Sequence, residues 1–115
     1  MSTPEAGPPF ILVVEDVDWI RAGMTTTLRR HGFRVIEAAD AGRAVEVARH
    51  VRPDLILTDE GLPTFDALLA GVRGLPADRR VPVVVVNPDA DEQTRYGDAV
   101  VLTDYAQLRT LLPRT

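Results

Sequence analysis

Cysteine is absent from the 115 residues, which excludes disulfides, thiolate zinc sites and thiol nucleophiles. Lysine is absent too: all 13 basic residues are arginines, so no reaction here can use a lysine ammonium. No apolar run approaches the roughly 20 residues a membrane helix needs, and the N-terminus lacks a charged and apolar export signal. With a net charge of −4, the chain also lacks the clustered basic surface that nucleic acid demands. These absences lead to an expectation of a soluble, cytoplasmic protein with neither nucleic acid nor membrane as partner. What is present is ordinary for a globular domain: 45 % hydrophobic and 26 % charged residues, enough for one core.

Residues 1–9 hold three prolines and a glycine without periodicity and read as a disordered arm. The single domain then spans 10–112. Within it, short aliphatic runs alternate with segments of helical spacing. Phe10–Val14, Arg34–Ala38, Leu55–Thr58, Val83–Val86 and Ala99–Leu102 read as strands. Between them, Ile20, Met24, Thr27 and Leu28 share one helical face, as do Ala44, Val47, Ala48 and Val51, and again Phe65, Leu68, Leu69 and Val72. Leu108, Leu111 and Leu112 line a last helix. Gly32 is placed to end the first helix, Asp40 to cap the second and Arg52-Pro53 to follow its end. This rhythm gives an α/β fold with a doubly wound, five-stranded parallel sheet. Pro88 to Asp98 is polar and short, so the fourth crossover is expected to be a shortened helix or an irregular loop.

Two of the aliphatic runs end abruptly in acids: Ile11 to Val14 in Glu15-Asp16, and Leu55 to Thr58 in Asp59-Glu60. Open α/β sheets place their sites at the C-terminal ends of strands, where the strand order reverses, so these acids are expected to converge there. Carboxylates held close together repel and raise one another's pKa values unless a cation neutralises them. Mg²⁺ suits an all-oxygen set because it keeps several waters and asks few protein ligands. Glu15, Asp16, Asp59 and the backbone carbonyl of Gly61 are the candidate ligands. A carboxylate in such a pocket can accept a phosphoryl group as an acyl phosphate. Alternatively, Asp16 or Asp18 simply caps the helix that begins near Trp19. Trp19 itself is expected to pack at the core or rim, and His31 and His50 to be surface residues near helix ends.

From Phe10 to Leu112 the chain resembles a receiver domain of two-component response regulators. The resemblance rests on Ile11 to Asp16, on Ile36 to Gly42 with Ala44, and on Arg52 to Pro63. It implies a flavodoxin-like sheet in the order 2-1-3-4-5, Mg²⁺ held by Glu15 and Asp16, and Asp59 as phosphoacceptor. The partners it implies are a sensor histidine kinase or a histidine phosphotransfer protein, with an unidentified downstream protein and an open question of homodimerisation. Receivers also carry a serine or threonine after the fourth strand and a lysine after the fifth. Aligned by element, Asn87 takes the first place and Asp104 the second, with Val101 where a switch aromatic is usual. An anion for a cation beside a phosphoryl group is a contact on the order of 4 kcal/mol at about 4 Å and a dielectric of roughly 20, before screening.

The expectation is therefore an atypical, stand-alone receiver in a phosphorelay, not an enzyme with steady turnover. One alternative is a pseudo-receiver that acts through protein contacts alone. A more distant one is a haloacid dehalogenase-like phosphatase, suggested by Asp16 and Asp18 two residues apart but lacking that family's glycine-threonine and lysine.

Overall fold

Aliphatic runs become parallel strands when both faces are covered, since every position then needs an apolar side chain. In the computed structural model, which describes residues 7–112, five such runs form one sheet. The strands are β1 (Phe10–Val14), β2 (Arg34–Ala38), β3 (Leu55–Asp59), β4 (Val83–Val86) and β5 (Val100–Leu102). The helices are α1 (Asp18–Arg30), α2 (Ala41–His50), α3 (Phe65–Arg73) and α4 (Leu108–Leu111), with 3-10 turns at Ala77–Arg79 and Tyr105–Gln107. All pairings are parallel and the order is β2-β1-β3-β4-β5, as expected.

Successive side chains of a strand point to opposite faces, and the core divides accordingly. Leu12, Val14 and Ile56 enter a layer with Ala44, Val47 and Ala48 of α2 and Leu68, Leu69 and Val72 of α3. Ile11, Val13, Leu55 and Leu57 enter the other, with Met24 and Leu28 of α1 and Leu108 of α4. Helix ends follow local chemistry. Asp40 accepts the Arg43 N–H at 2.8 Å, and Gly32 takes φ +89°, a left-handed conformation that closes α1.

Several local expectations need correction. The N-cap of α1 is Val17, with no side-chain cap; Asp18 instead lies in the first turn and pairs with Arg21 at 2.6 Å. Trp19 is 77 % exposed, because it sits one position off the stripe that turns Met24 and Leu28 inward. Thr25, not Thr27, is the buried threonine of α1: its hydroxyl donates to Glu37 Oε2 at 2.5 Å. Val51 falls outside α2 and is exposed. The fourth crossover, by contrast, takes one of the two expected forms, an irregular loop without a helix. Its end is fastened to α3 by the Tyr96 ring edge-on to Phe65, at 6.0 Å between centroids, and by an Arg73–Asp98 ion pair at 2.8 Å.

The arm expected over residues 1–9 lies mostly outside the described residues. Within them, the carbonyls of Pro8 and Pro9 accept from the Arg34 side chain and backbone at 2.9 and 3.0 Å.

Candidate acidic site at the strand ends

Strand register brings the acids to one edge. Val14 pairs with Ala38 and Thr58, and Asp59 pairs with Val86. Glu15 and Asp16 thus leave β1 beside the end of β3, and Asn87 leaves β4 on the other side.

Glu15 is 2 % exposed. Its Oε2 accepts the Val17 N–H at 3.0 Å, whereas Oε1 is sealed from solvent without a hydrogen-bond partner. Burial raises the Glu15 pKa against the opposing Val17 hydrogen bond, and the close approach of the Asp16 carboxyl and the charges of Asp59 and Asp16 add to the rise. The three acids therefore share one electrostatic field. Behind them, Arg21 donates to the Glu15 carbonyl at 2.7 Å and fixes the backbone from which the acidic pair projects.

Asp59 is half-buried, and its Oδ1 accepts the Gly61 N–H at 2.8 Å. That turn puts the Gly61 carbonyl on the same loop as the acid. Among the described residues, no group of three His, Cys, Asp or Glu side chains is placed so that it could hold a metal ion as the side chains stand. The acids form a loose cluster rather than a cage. Its donors are nonetheless all hard oxygens, and the unpartnered Oε1 of Glu15 is the kind of atom a divalent cation would satisfy.

Asn87 is 6 % exposed and bonded at both ends of its amide. Its Oδ1 accepts the Asp89 N–H at 2.9 Å, and its Nδ2 donates to the Tyr96 hydroxyl at 2.8 Å. Nothing in the sequence pattern singles out Tyr96, because the segment carrying it has no periodicity.

Asp104 is an exposed helix cap. Its carboxylate accepts the Ala106 N–H at 2.7 Å, and Gln107 returns a capping-box contact to the Asp104 backbone N–H at 3.1 Å. The first residue past β5 is Thr103, whose N–H donates to Gln107 Oε1 at 2.8 Å. Tyr105 follows, packed against the α1 side of the core. Its phenol pKa is pushed up to about 12 by burial, then by the charges of Asp59 and Glu15. An aromatic hydroxyl therefore borders the acids.

The family model of the response regulator receiver domain matches residues 11–101. The KDP operon transcriptional regulatory protein KdpE of Escherichia coli is 36 % identical over 87 residues, covering 76 % of this chain and 38 % of that protein. The transcriptional regulatory protein PdtaR of Mycobacterium tuberculosis is 34 % identical over 82 residues, covering 70 % and 40 %. The chain thus spans about two fifths of the length of these curated relatives. Among solved structures, the receiver domain of the sensor histidine kinase PA1611 from Pseudomonas aeruginosa superposes with a TM-score of 0.73 at 30 % identity, over 94 % of this chain and 97 % of that one. That crystal structure has a magnesium ion coordinated in its active site cleft. A sheet in this order, acids at the ends of its first and third strands and a match over most of the chain lead to one conclusion: the chain belongs to the response regulator receiver domain family.

Proposed function

We propose that the chain is an atypical receiver of a phosphorelay in which Asp59 accepts a phosphoryl group from a histidine. The donor is a sensor histidine kinase or a histidine phosphotransfer protein, and the readout is contact with a downstream protein in the cytoplasm. A carboxylate oxygen of Asp59 attacks phosphorus as the P–N bond breaks. The electron pair of that bond stays on the imidazole, which takes up a proton, and an acyl phosphate remains on Asp59. Glu15, Asp16, Asp59 and the Gly61 carbonyl are the residues that would hold Mg²⁺. When bound, the ion supplies positive charge against the acids and the incoming phosphoryl oxygens.

The observation that carries this reading is the buried, unpartnered Oε1 of Glu15, in the field of Asp59 and Asp16. A buried carboxylate lacking a donor is costly, and a cation at that point would relieve the cost. The output is expected to be atypical, because the Asn87 amide is already bonded and the Asp104 carboxylate caps a helix.

That same engagement of Asn87 favours a second reading, a contact module that works without phosphorylation. The two separate in one experiment. Purified protein is incubated with Mg²⁺ and acetyl phosphate, and intact masses of wild type and Asp59→Asn are compared. A single phosphoryl adduct in wild type alone is the expected result. No adduct, together with no Mg²⁺-dependent change in melting temperature, overturns the phosphorelay reading and leaves the contact module.

A further inference from the structure

The end of β4 carries a hydrogen-bond chain whose direction can be assigned. The Asp89 backbone N–H is only a donor, so the Asn87 atom it meets at 2.9 Å must be the carbonyl oxygen. That fixes the amide: Nδ2 faces Tyr96 at 2.8 Å, and the Tyr96 oxygen is the acceptor. The phenol proton is then left for Glu60, whose Oε2 lies 3.5 Å away. At that distance the Glu60 contact is long for an O–H···O bond, so the firm link is the one between Tyr96 and Asn87. Glu60 is the residue directly after Asp59. The contacts therefore run from the end of β4 through the fourth crossover and back to the first residue past β3, the strand that ends in the candidate phosphoacceptor.

Among the described residues, Tyr96 is the one side chain of the crossover that bonds the Asn87 amide, and Asp89 meets it through its backbone N–H. Tyr96 is held for the task from behind, since its ring stands edge-on to Phe65 of α3 at an interplanar angle of 76°. With Asp89 on its oxygen and Tyr96 on its nitrogen, the amide cannot rotate without breaking a bond at each end.

We propose that Tyr96 is a positioning residue for Asp59 chemistry: it holds the Asn87 amide in the latch toward Glu60 and withholds it from a phosphoryl group on Asp59. The inference rests on Asp59 being the phosphoacceptor. Freeing the amide adds a donor where negative charge develops during transfer, and such donors act on the rate.

The test is the rate at which Mg²⁺ and acetyl phosphate place a phosphoryl group on wild type, Tyr96→Phe, Asn87→Ala and the double variant. Tyr96→Phe keeps the ring on Phe65 and removes only the hydroxyl. It is expected to react about tenfold faster, well below the largest effects seen for a preorganised donor. The gain should vanish in the double variant. The side-chain amide resonance of Asn87 should shift on phosphorylation in Tyr96→Phe and stay in place in wild type, a change that looser packing would not produce. Glu60→Gln, which weakens the far end of the chain and leaves both rings untouched, should accelerate the reaction less. Equal rates for wild type and Tyr96→Phe when both are phosphorylated, or a gain that survives loss of Asn87, overturn the role of Tyr96 alone. If neither protein takes a phosphoryl group, the Asp59 reading fails and this inference falls with it.

Discussion

The Val17 N–H holds one carboxylate oxygen of Glu15 at 3.0 Å, and the other oxygen of the same group is buried with nothing to accept from. One half of the side chain is thus organised by the backbone, while the other half adds cost. Replacing the charge with a neutral isostere should remove that cost. Glu15→Gln is expected to raise stability in metal-free buffer by about 1 kcal/mol, roughly 4 °C in melting temperature. The same change should abolish any stabilisation by added Mg²⁺. Thermal melts with and without the ion measure both effects. A Gln variant that melts lower than wild type would show that the buried carboxylate is satisfied in solution.

Tyr105 gives the site a signature at alkaline pH. Its folded pKa lies near 12 against an ordinary 10, so the folded state keeps a proton that the unfolded chain gives up. Stability associated with this group is full below pH 10 and is lost as pH rises toward 12. Tyr105→Phe should therefore flatten the fall of melting temperature over that window. Phenolate absorbance should show one late-titrating tyrosine that disappears in the variant. A Tyr105 that titrates near 10 would show that its hydroxyl is open to solvent rather than buried beside the acids.

Much of this architecture is legible in the sequence because both faces of the sheet are covered. Runs such as Leu55 to Leu57 can hardly be anything but buried strands, and the acids that end them stand at the edge where the candidate site is proposed. Capping residues also declare themselves locally, as Asp40 and Gly32 do. What the sequence hides depends on long-range contact. Thr25 is buried because Glu37, twelve positions away on β2, accepts from it. Tyr96 acquires its role from Asn87, Glu60 and Phe65, none of which is close to it in helical or strand spacing. The alignment of Asp104 with the lysine position rests on counting residues past β5. The local capping geometry is what fixes the residue's contacts.

Two glycines predict opposite outcomes for one substitution. Gly23 lies inside α1 with open space where an alanine methyl would go, whereas a Cβ at Gly71 in α3 would meet Val45 Cγ2 of α2 at 2.5 Å. Gly23→Ala should stabilise by roughly 0.5–1 kcal/mol through helix propensity alone. Gly71→Ala gains the same propensity but forces α2 and α3 apart, for a net loss of about 1–2 kcal/mol. Denaturant melts of the two variants decide it. Equal signs would mean that the α2–α3 contact gives way easily.

Asp104 separates a structural from an electrostatic role. A carboxylate opposing the phosphoryl group would slow its arrival, so its removal would speed Asp59 phosphorylation. Instead, the Asp104 carboxylate is occupied by the Ala106 N–H, and Gln107 completes the box. Asp104→Ala is therefore expected to cost about 1 kcal/mol, the usual worth of an N-cap, and to loosen the turn that leads into α4. Hydrogen exchange at Ala106 and Gln107 should rise with that loss. The rate of reaction with acetyl phosphate should stay at the wild-type value. A faster reaction without a stability loss would show that the carboxylate leaves its cap and faces the phosphoacceptor.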